Sequence, residues 1–289
     1  MIKKGIILAG GMGTRMSPLT KAVNKQLLPL YDKPLIYYPL SILMLAGIKT
    51  VLIIVNKGQL NQFNKILGNG QRFGIKITYL EQNYPRGLPD AFILGEQFIK
   101  KENVALILGD NFFYGQSLTN KLKKCIKLKS GCTIFLHPVK KPELYGVATI
   151  GKKNKVNSII EKPKNPKSNL AITGLYFFDN KAINYSKTLK PSKRNELEIV
   201  DLLNKYKRKN KLSAEYLGRG GAWLDTGSID NYYNTSNFVS TLENRQGFKI
   251  ACLEEIAFKN NWINKKKVIK AVKFYGNCNY SDYLKKLIK

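Results

Sequence analysis

Near the amino terminus, residues 5–15 read Gly-Ile-Ile-Leu-Ala-Gly-Gly-Met-Gly-Thr-Arg. This pattern predicts a short apolar strand that opens into a glycine-rich loop with a cation at its far end. Glycines let a backbone turn tightly and approach a ligand closely, so that several N–H groups point at one anion. The stretch therefore indicates a phosphate-binding loop. The alternative is an ordinary glycine turn beside a solvated Arg15.

Two common phosphate-binding motifs do not fit this loop. The dinucleotide-binding pattern G-x-G-x-x-G needs a third glycine, but Met16 stands at that position after Gly11 and Gly13. The chain also has no G-x-x-x-x-G-K-[ST] stretch, which a P-loop requires. A second basic segment, Lys-Gln-Leu-Leu-Pro, begins at Lys25. The two cations together favour a functional loop over a solvated turn.

Apolar runs alternate with helical patterns through the first half of the chain. We expect strands at residues 5–8, 51–55, 75–80 and 104–108, and helices at 35–46, 59–67 and 90–101. This alternation predicts an α/β fold with a doubly wound, mostly parallel, Rossmann-like mixed sheet flanked by helices. Ligands of such sheets gather at the carboxyl ends of the strands, where the glycine loop and Asp110 both fall.

The second half has a different pattern. Shorter strands separated by turns are expected at residues 133–139, 146–150, 156–160, 172–178 and 222–226. Helical spacing covers residues 196–208 and begins again near residue 231, and the tail at 253–289 is expected to form small helices. Because no linker or repeat interrupts the chain, we expect a single domain over residues 1–289.

Composition limits the functional classes. The chain of 289 residues carries a formal net charge of +30, which suits nucleic acid, a membrane surface or polyanionic substrates. The lysines are spread through the chain, however, and their mixture with asparagine and isoleucine is typical of compositional bias on a solvated surface. No nucleic-acid-binding motif and no membrane-length apolar segment accompanies the charge. We therefore expect no nucleic-acid partner and no membrane partner.

The cysteines and the histidine exclude further classes. Four cysteines without C-x-x-C spacing predict neither a zinc site nor a disulfide framework, and reduced thiols fit a cytoplasmic protein. His137 is the only histidine and precedes a proline at the end of an expected strand, so we expect a structural role. A single histidine argues against histidine-based triads and most metal hydrolases, but nucleotidyl transfer needs none.

Four charged residues are candidates for chemistry. Asp110 and Asp225 each follow an apolar strand and lie beside a glycine, so together they could hold Mg²⁺, which prefers carboxylates, phosphate oxygens and water. The alternative for either acid is a turn or a helix cap. Lys162 could neutralise a sugar phosphate and Glu161 could accept hydrogen bonds from hydroxyls, unless they only form a surface turn before Pro163.

The region at residues 5–33 closely resembles the glucose-1-phosphate thymidylyltransferase family of sugar nucleotidyltransferases. The resemblance continues in order through Tyr-Tyr-Pro-Leu-Ser (37–41), Leu-Gly-Asp-Asn (108–111), Glu-Lys-Pro (161–163), Thr-Gly-Leu-Tyr (173–176), Ala-Trp-Leu-Asp-Thr-Gly (222–227) and Glu-Asn-Arg-Gln-Gly (243–247). It spans essentially the whole chain, and so many ordered motifs make it specific.

The resemblance implies an activity and a setting. Such enzymes join dTTP and glucose 1-phosphate into dTDP-glucose with Mg²⁺ and release pyrophosphate, the first step towards dTDP-rhamnose and other deoxysugars of lipopolysaccharide O-antigen. It further implies a cytoplasmic homotetramer with a product-binding regulatory site, for which the tail and residues 115–219 are candidates. Within the domain it implies a nucleotide-binding part at 1–110, a sugar-phosphate-binding part at 111–230 and a helical part at 231–289.

The resemblance also implies roles for individual residues. The expected nucleotide-binding residues are Leu8, Ala9, Gly10, Gly11, Gly13, Thr14, Arg15, Gln82, Gly87 and Asp110. The expected sugar-phosphate-binding residues are Tyr145, Gly146, Glu161, Lys162, Ile172, Tyr176, Arg194 and Trp223. Arg15, Lys25 and Lys162 match catalytic cations, and Asp110 and Asp225 match the metal-binding acids.

Some positions depart from the family pattern. Met12 replaces a small residue, Asn195 replaces a glycine, and Arg-Gly-Leu-Pro-Asp at 86–90 replaces a more familiar Asp-Gly-Leu-Ala-Gln. We expect Pro89 and Asp90 to affect base choice or the start of the following helix. The alternatives are the same transfer with UTP, CTP or another sugar 1-phosphate, a non-catalytic sugar-nucleotide sensor, and charge-driven binding of nucleic acid.

Overall fold

A computed structural model describes residues 1–151 and 155–289. Along these residues the strands are β1 (Lys4–Leu8), β2 (Pro29–Leu30), β3 (Lys33–Pro34), β4 (Thr50–Asn56), β5 (Lys76–Gln82), β6 (Val104–Leu108), β7 (Asn111–Gly115), β8 (Cys132–Pro138), β9 (Gly146–Ile150), β10 (Val156–Glu161), β11 (Leu170–Phe178), β12 (Leu212–Tyr216) and β13 (Gly221–Asp225). The helices are α1 (Tyr37–Leu45), α2 (Leu60–Leu67), α3 (Asp90–Leu94), α4 (Glu96–Ile99), α5 (Leu118–Cys125), α6 (Lys181–Lys187), α7 (Ile199–Arg208), α8 (Ile229–Gln246), α9 (Leu253–Lys259), α10 (Lys265–Tyr275) and α11 (Asn279–Leu287).

A nine-stranded mixed sheet forms the centre of the molecule. Its amino-terminal half is parallel: β1 lies between β4 and β6, and β5 extends the sheet beyond β4. Its other half is largely antiparallel, because β11 runs against β6, β8 and β9, while β9 pairs with β10. The expected α/β fold with a mixed, helix-flanked sheet is therefore confirmed, and its parallel strands lie mostly in the first half.

Two apolar cores cover the two faces of the sheet. Successive residues of β4 point to opposite faces: Val51, Ile53 and Val55 join the core under α1, α2, α5 and the carboxy-terminal helices. Leu52 and Ile54 join the core under α3, α4, α6 and α7. A strand that is buried on both faces reads as an uninterrupted apolar run, which explains why this strand was recognisable from the sequence.

Two small ladders lie outside the main sheet, and one of them builds the site. The strand β7 pairs antiparallel with β13, so that Asn111 lies opposite Asp225. The other ladder joins β2 to β3 just after Lys25. The ladder of β7 and β13 brings a segment that follows β6 next to one that is more than a hundred residues away along the chain.

The structure corrects part of the expected element pattern. The single helix expected at residues 90–101 is two short helices, α3 and α4, because the chain leaves helical geometry at Gly95, a residue that disfavours helix interiors. The elements β7, β12, α5 and α6 were not anticipated. Three short helices, α9, α10 and α11, form the tail as expected.

Membrane and thiol expectations can also be compared with the described residues. Among residues 1–151 and 155–289, no helix has the length and apolarity that crossing a bilayer requires. All four cysteines lie in these ranges as free thiols. Burial raises the pKa of the Cys125 thiol to about 12, which makes that group unreactive at neutral pH.

Candidate active site

Two adjoining cavities open at the carboxyl ends of the parallel strands. The loop cavity, about 250 Å³, lies against the glycine loop at residues 10–15, together with Lys25 and Gly227. The sheet cavity, about 260 Å³, lies between β7, β13 and the segments around Glu161 and Arg194. Arg15, Leu88, Leu108 and Asp110 line both cavities. Two ligands bound in the two cavities would therefore meet at a basic and an acidic side chain.

Neutral amide side chains hold the glycine loop in place. Asn56, at the end of β4, accepts a hydrogen bond from Gly11 N at 3.1 Å and donates one to Gly11 O at 3.0 Å. Gln82, at the end of β5, donates to the same Asn56 carbonyl oxygen at 3.1 Å. A Cβ on Gly10 would lie 1.9 Å from the Gln82 amide nitrogen, so any other residue there would have to displace Gln82. The loop is thus fixed by two neighbouring strand ends.

Lys25 is positioned by the residue before it. Asn24 donates to Ala9 O at 3.1 Å and accepts from Gln26 N at 2.8 Å, which begins a single 3₁₀ turn over Lys25–Leu27. From this turn the Lys25 ammonium reaches the carboxylate of Asp110 and forms an ion pair. The two side chains are only 10% and 19% exposed, so solvent screens this pair less than a surface pair.

The two candidate acids lie side by side. Thr226 donates to Asp110 O from both its backbone N–H, at 3.0 Å, and its hydroxyl, at 2.7 Å. These bonds fasten the end of β13, which carries Asp225, to the residue that precedes β7. A Cβ on Gly227 would lie 2.5 Å from the Arg15 guanidinium and 3.0 Å from the Asp225 carboxylate. The missing side chain at Gly227 therefore lets Arg15 approach the acids.

The two acids differ in their electrostatics. Burial first, and then the charge of nearby Asp110, raise the pKa of Asp225 to about 6, against the opposing effects of Lys25 and Arg15. Burial also acts to raise the pKa of Asp110, but the Lys25 charge and hydrogen bond outweigh it and lower that pKa. Lys25 therefore stabilises the charged form of Asp110, and the charge of Asp110 in turn disfavours the charged form of Asp225.

This donor set suits one particular kind of cation. Within residues 1–151 and 155–289, no cluster of three or more His, Cys, Asp and Glu side chains is arranged to enclose a metal. Mg²⁺ does not need such a cage, because it is commonly held by one or two carboxylates together with water and substrate phosphates. Asp110 and Asp225 therefore fit Mg²⁺ better than they fit a metal that needs a complete protein cage.

The far side of the sheet cavity combines a lysine with aromatic rings. Glu161 lies opposite Gly146 in the ladder of β9 and β10, and the following Lys162 donates its backbone N–H to Tyr145 O at 3.0 Å. Lys162 itself has φ 42°, a left-handed conformation that lysine seldom adopts. The Tyr145 ring meets the Trp223 ring edge-on at 5.1 Å between centroids. These contacts give the cavity an apolar wall and a basic rim.

Three acids surround Arg194 at the mouth of the sheet cavity. Glu198 accepts from Arg194 Nε at 3.2 Å and from a terminal guanidinium nitrogen at 2.8 Å. Glu161 and Glu196 lie 3.7 and 4.0 Å from the same nitrogen. Burial raises the pKa of Glu161, and repulsion from Glu198 raises it further. Asn195 has φ 58°, which asparagine tolerates better than most residues.

The sequence reasoning assigned no role to Asn111, which lies at the centre of the site. Its carbonyl oxygen accepts from Trp223 Nε1 at 2.6 Å and from Gly174 N at 3.0 Å, and its amide donates to Asp110 Oδ1 at 3.1 Å. One buried side chain thus connects the acid, the aromatic wall and β11. The signal was the asparagine in the Leu-Gly-Asp-Asn motif, but its partners are distant in sequence.

Comparison with known proteins identifies the family. The nucleotidyl transferase family model matches residues 4–241. A glucose-1-phosphate thymidylyltransferase of Neisseria meningitidis is 50% identical over 286 residues, 99% of each chain.

The chain belongs to the nucleotidyl transferase family.

Solved structures agree with this assignment. A Bacillus anthracis protein, named as a candidate glucose-1-phosphate thymidylyltransferase and solved with sucrose, superposes with a TM-score of 0.75 at 38% identity. That match covers 81% of this chain and 94% of the other. A UDP-glucose pyrophosphorylase complexed with UDP-glucose gives a TM-score of 0.73 at 27% identity, over 83% and 99% of the chains. The expectation of an enzyme that transfers a nucleotidyl group is confirmed.

The expected site residues of this nucleotidyltransferase mostly gather around the two cavities. All of them line one cavity or both, except Ala9, Gln82 and Gly87. Ala9 is fully buried, Gln82 is buried beneath Gly10, and Gly87 packs against the backbone of Leu197. Ala9 and Gln82 are therefore covered by other residues, whereas Gly87 is half-buried next to Leu88, which lines both cavities. His137 contacts the Trp223 ring at 6.5 Å between centroids, and burial lowers its pKa.

Proposed function

We propose that this nucleotidyltransferase transfers the thymidylyl group of dTTP to glucose 1-phosphate and forms dTDP-glucose and pyrophosphate. The names of its relatives support this choice of substrates. The observation that carries the proposal is the pair of adjoining cavities that share Arg15 and Asp110. One cavity has the glycine loop that a triphosphate needs, and the other has Lys162 and Arg194 at a rim that suits a sugar phosphate.

The proposed reaction is a direct in-line displacement. A phosphate oxygen of glucose 1-phosphate attacks the α-phosphorus of dTTP, a new P–O bond forms, and the bond to the β-phosphate oxygen breaks with its electron pair. Pyrophosphate leaves, and no covalent enzyme intermediate is needed. Arg15 and Lys25 would offset the negative charge that develops, since fixed cations in a partly buried site stabilise such a transition state.

Asp110 and Asp225 would hold Mg²⁺ in this scheme. When bound, the ion would supply positive charge next to the phosphates and relieve the repulsion between the two acids. The chain's own contribution is to position Asp110: Thr226 donates to its backbone oxygen and Asn111 to its carboxylate. The identity of the metal is part of the proposal.

The remaining site residues would orient the two substrates. Glu161 would accept hydrogen bonds from sugar hydroxyls, while Trp223 would provide an apolar surface for the sugar ring. Gln82 and Gly87 would read the thymine base, as the family resemblance implies. Gln82 is buried in this structure, so its side chain would have to turn towards the ligand, whereas Gly87 is half-buried beside the cavity-lining Leu88.

An assay of pyrophosphate release tests the proposal. With dTTP, glucose 1-phosphate and Mg²⁺, the protein should release pyrophosphate, and Asp110→Ala should lower kcat by roughly 10²–10³-fold, because it removes a metal ligand and the partner of Lys25. Asp282→Ala, which removes an exposed carboxylate paired with Lys285 at 2.8 Å, is the matched control and should retain activity. Equal rates for wild type and Asp110→Ala would refute the metal assignment.

The same transfer with UTP is the second candidate, and the likeness to UDP-glucose pyrophosphorylase favours it as an alternative. A sensor without catalysis is less consistent with a site that combines Arg15, Lys25 and two acids. A comparison of kcat/KM for dTTP, UTP and CTP separates these functions. A preference for UTP or CTP would contradict the proposal.

The setting of the enzyme is also proposed. We propose a cytoplasmic homotetramer that supplies dTDP-rhamnose or another deoxysugar of lipopolysaccharide, and we retain the division into parts at 1–110, 111–230 and 231–289. A third cavity of about 390 Å³, lined by Gly115, Lys249 and Glu255 among others, is the candidate for the regulatory site. Its lining combines the tail with the region after β7, where that site was expected.

A further inference from the structure

An ion pair closes the turn that leads into α3. A terminal guanidinium nitrogen of Arg86 lies 2.6 Å from Asp90 Oδ1, across four residues. The Asp90 side chain is 3% exposed, whereas that of Arg86 is 51% exposed. A carboxylate this deeply buried needs a partner, because leaving it unpaired is costly. Arg86 provides that partner from the surface.

The residues within this turn are held from a second direction. Arg86 O accepts from Leu197 N at 2.8 Å, and Gly87 O accepts from Asp90 N at 3.2 Å. Gly87 has φ 101°, and a Cβ there would lie within 2.8–2.9 Å of the Leu197 backbone N and C atoms. The turn is therefore fixed between the Arg86–Asp90 ion pair on one side and the Leu197 segment on the other.

This turn reaches both cavities of the active site. Leu88, between Gly87 and the start of α3, lines the loop cavity and the sheet cavity. The Leu197 segment continues into Glu198, which holds Arg194 at the mouth of the sheet cavity. A change in the turn would consequently move an apolar wall of the nucleotide site without touching the acids or the phosphate-binding cations.

We propose that the Arg86–Asp90 ion pair is a positioning element that sets the enzyme's discrimination between thymine and uracil nucleotides. The inference rests on the proposed function, in which Gly87 reads the base of dTTP. The pair acts by holding Gly87 and Leu88 at a fixed distance from the loop cavity. A looser turn would accept a base that lacks the thymine methyl group almost as well as thymine, because contact with one methyl group contributes little binding energy unless its pocket is well fitted.

The test compares variants of this pair with a matched exposed ion pair. Arg86→Gln removes the charge of a half-exposed side chain, and Arg86→Lys keeps a cation that can still reach Asp90. The control is Glu96→Gln, which breaks the Lys187–Glu96 pair of the same 2.6 Å length, in which both side chains are about equally exposed. For each variant, kcat and KM are measured with dTTP, UTP and glucose 1-phosphate, together with the melting temperature.

We expect Arg86→Gln to lower the ratio of kcat/KM for dTTP to that for UTP by roughly tenfold, mainly through KM for dTTP. KM for glucose 1-phosphate should stay within about twofold of wild type, and Arg86→Lys should recover most of the ratio. Glu96→Gln should change none of these values. An unchanged ratio in Arg86→Gln, or an equal rise of both KM values, would overturn the inference.

Failure of the proposed function gives a different result. If the wild-type enzyme itself used UTP as well as dTTP, the proposed function would fail and the inference with it. If the wild type prefers dTTP and Arg86→Gln keeps that preference, only the inference fails. A drop in melting temperature with an unchanged ratio would show that the pair stabilises the fold alone.

Discussion

The loop cavity and the sheet cavity share four lining residues but are built in different ways. The loop cavity stands on the ends of parallel strands, and neutral amides such as Asn56 and Asn24 hold its backbone through hydrogen bonds. The sheet cavity stands on antiparallel ladders, and its mouth is a group of carboxylates around one arginine. One side therefore presents a rigid backbone to its ligand, whereas the other presents charged side chains that can change partners.

This difference predicts which kinetic parameter each side controls. Groups that surround the reacting phosphate should affect kcat, because their interactions strengthen in the transition state. Groups at the mouth of the sheet cavity should affect the binding of one substrate. The residues that join the two cavities should affect both activity and the stability of the fold.

The largest effect should come from the loop side. Lys25→Ala removes the cation that lies next to Asp110, and we expect kcat to fall by roughly 10²–10³-fold, with smaller changes in both KM values. The matched control is Lys21→Ala, which removes an exposed lysine close in sequence. Steady-state kinetics of both variants measure kcat and the two KM values. A loss of less than about threefold would remove Lys25 from the catalytic set.

An intermediate effect should come from the residue that joins the two sides. Asn111→Ala removes three hydrogen bonds and leaves the Trp223 and Gly174 donors without their partner, so we expect the free energy of unfolding to fall by about 2–3 kcal/mol. Urea denaturation measures this change, and kcat should fall with it because Asp110 loses a contact. Asn234→Ala, on the exposed face of α8, is the control. A variant as stable as wild type would contradict the bridging role.

The smallest effect should come from the mouth of the sheet cavity. Arg194→Ala should raise KM for glucose 1-phosphate by roughly tenfold and leave KM for dTTP nearly unchanged, because Arg194 lies away from the glycine loop. Arg208→Ala, an exposed arginine at the end of α7, should change neither value. If Arg194→Ala raised both KM values equally, the division of the site into two sides would be wrong.

The two sides also differ in how much the sequence predicted. The strands at residues 51–55 and 104–108 were recognisable because both faces of each are buried, which leaves an apolar run. The ladder between β7 and β13 was not anticipated, because strand pairing across more than a hundred residues leaves no local pattern. The helix expected at residues 90–101 is divided at Gly95, because glycine disfavours helix interiors.

The candidate site could likewise be predicted only in part from the sequence. Motifs that resemble a family pointed to Arg15, Lys25 and the two acids, all of which the structure places around the cavities, while their roles stay predictions. Asn56 belonged to none of these motifs, and Asn111 belonged to one but was assigned no role, because these amides act through partners that only folding brings to them. Asp90 was expected to affect base choice, but its ion pair with Arg86 was not predicted, because a spacing of four residues is compatible with many exposed turns.

The central claim is that the two cavities bind dTTP and glucose 1-phosphate for one transfer. The most direct test measures pyrophosphate release and dTDP-glucose formation by the intact chain with Mg²⁺, with each substrate omitted in turn and with UTP or CTP in place of dTTP. The account predicts equal amounts of pyrophosphate and dTDP-glucose, no release without glucose 1-phosphate, and the highest kcat/KM for dTTP. Release without the sugar phosphate, or a preference for UTP or CTP, would contradict it.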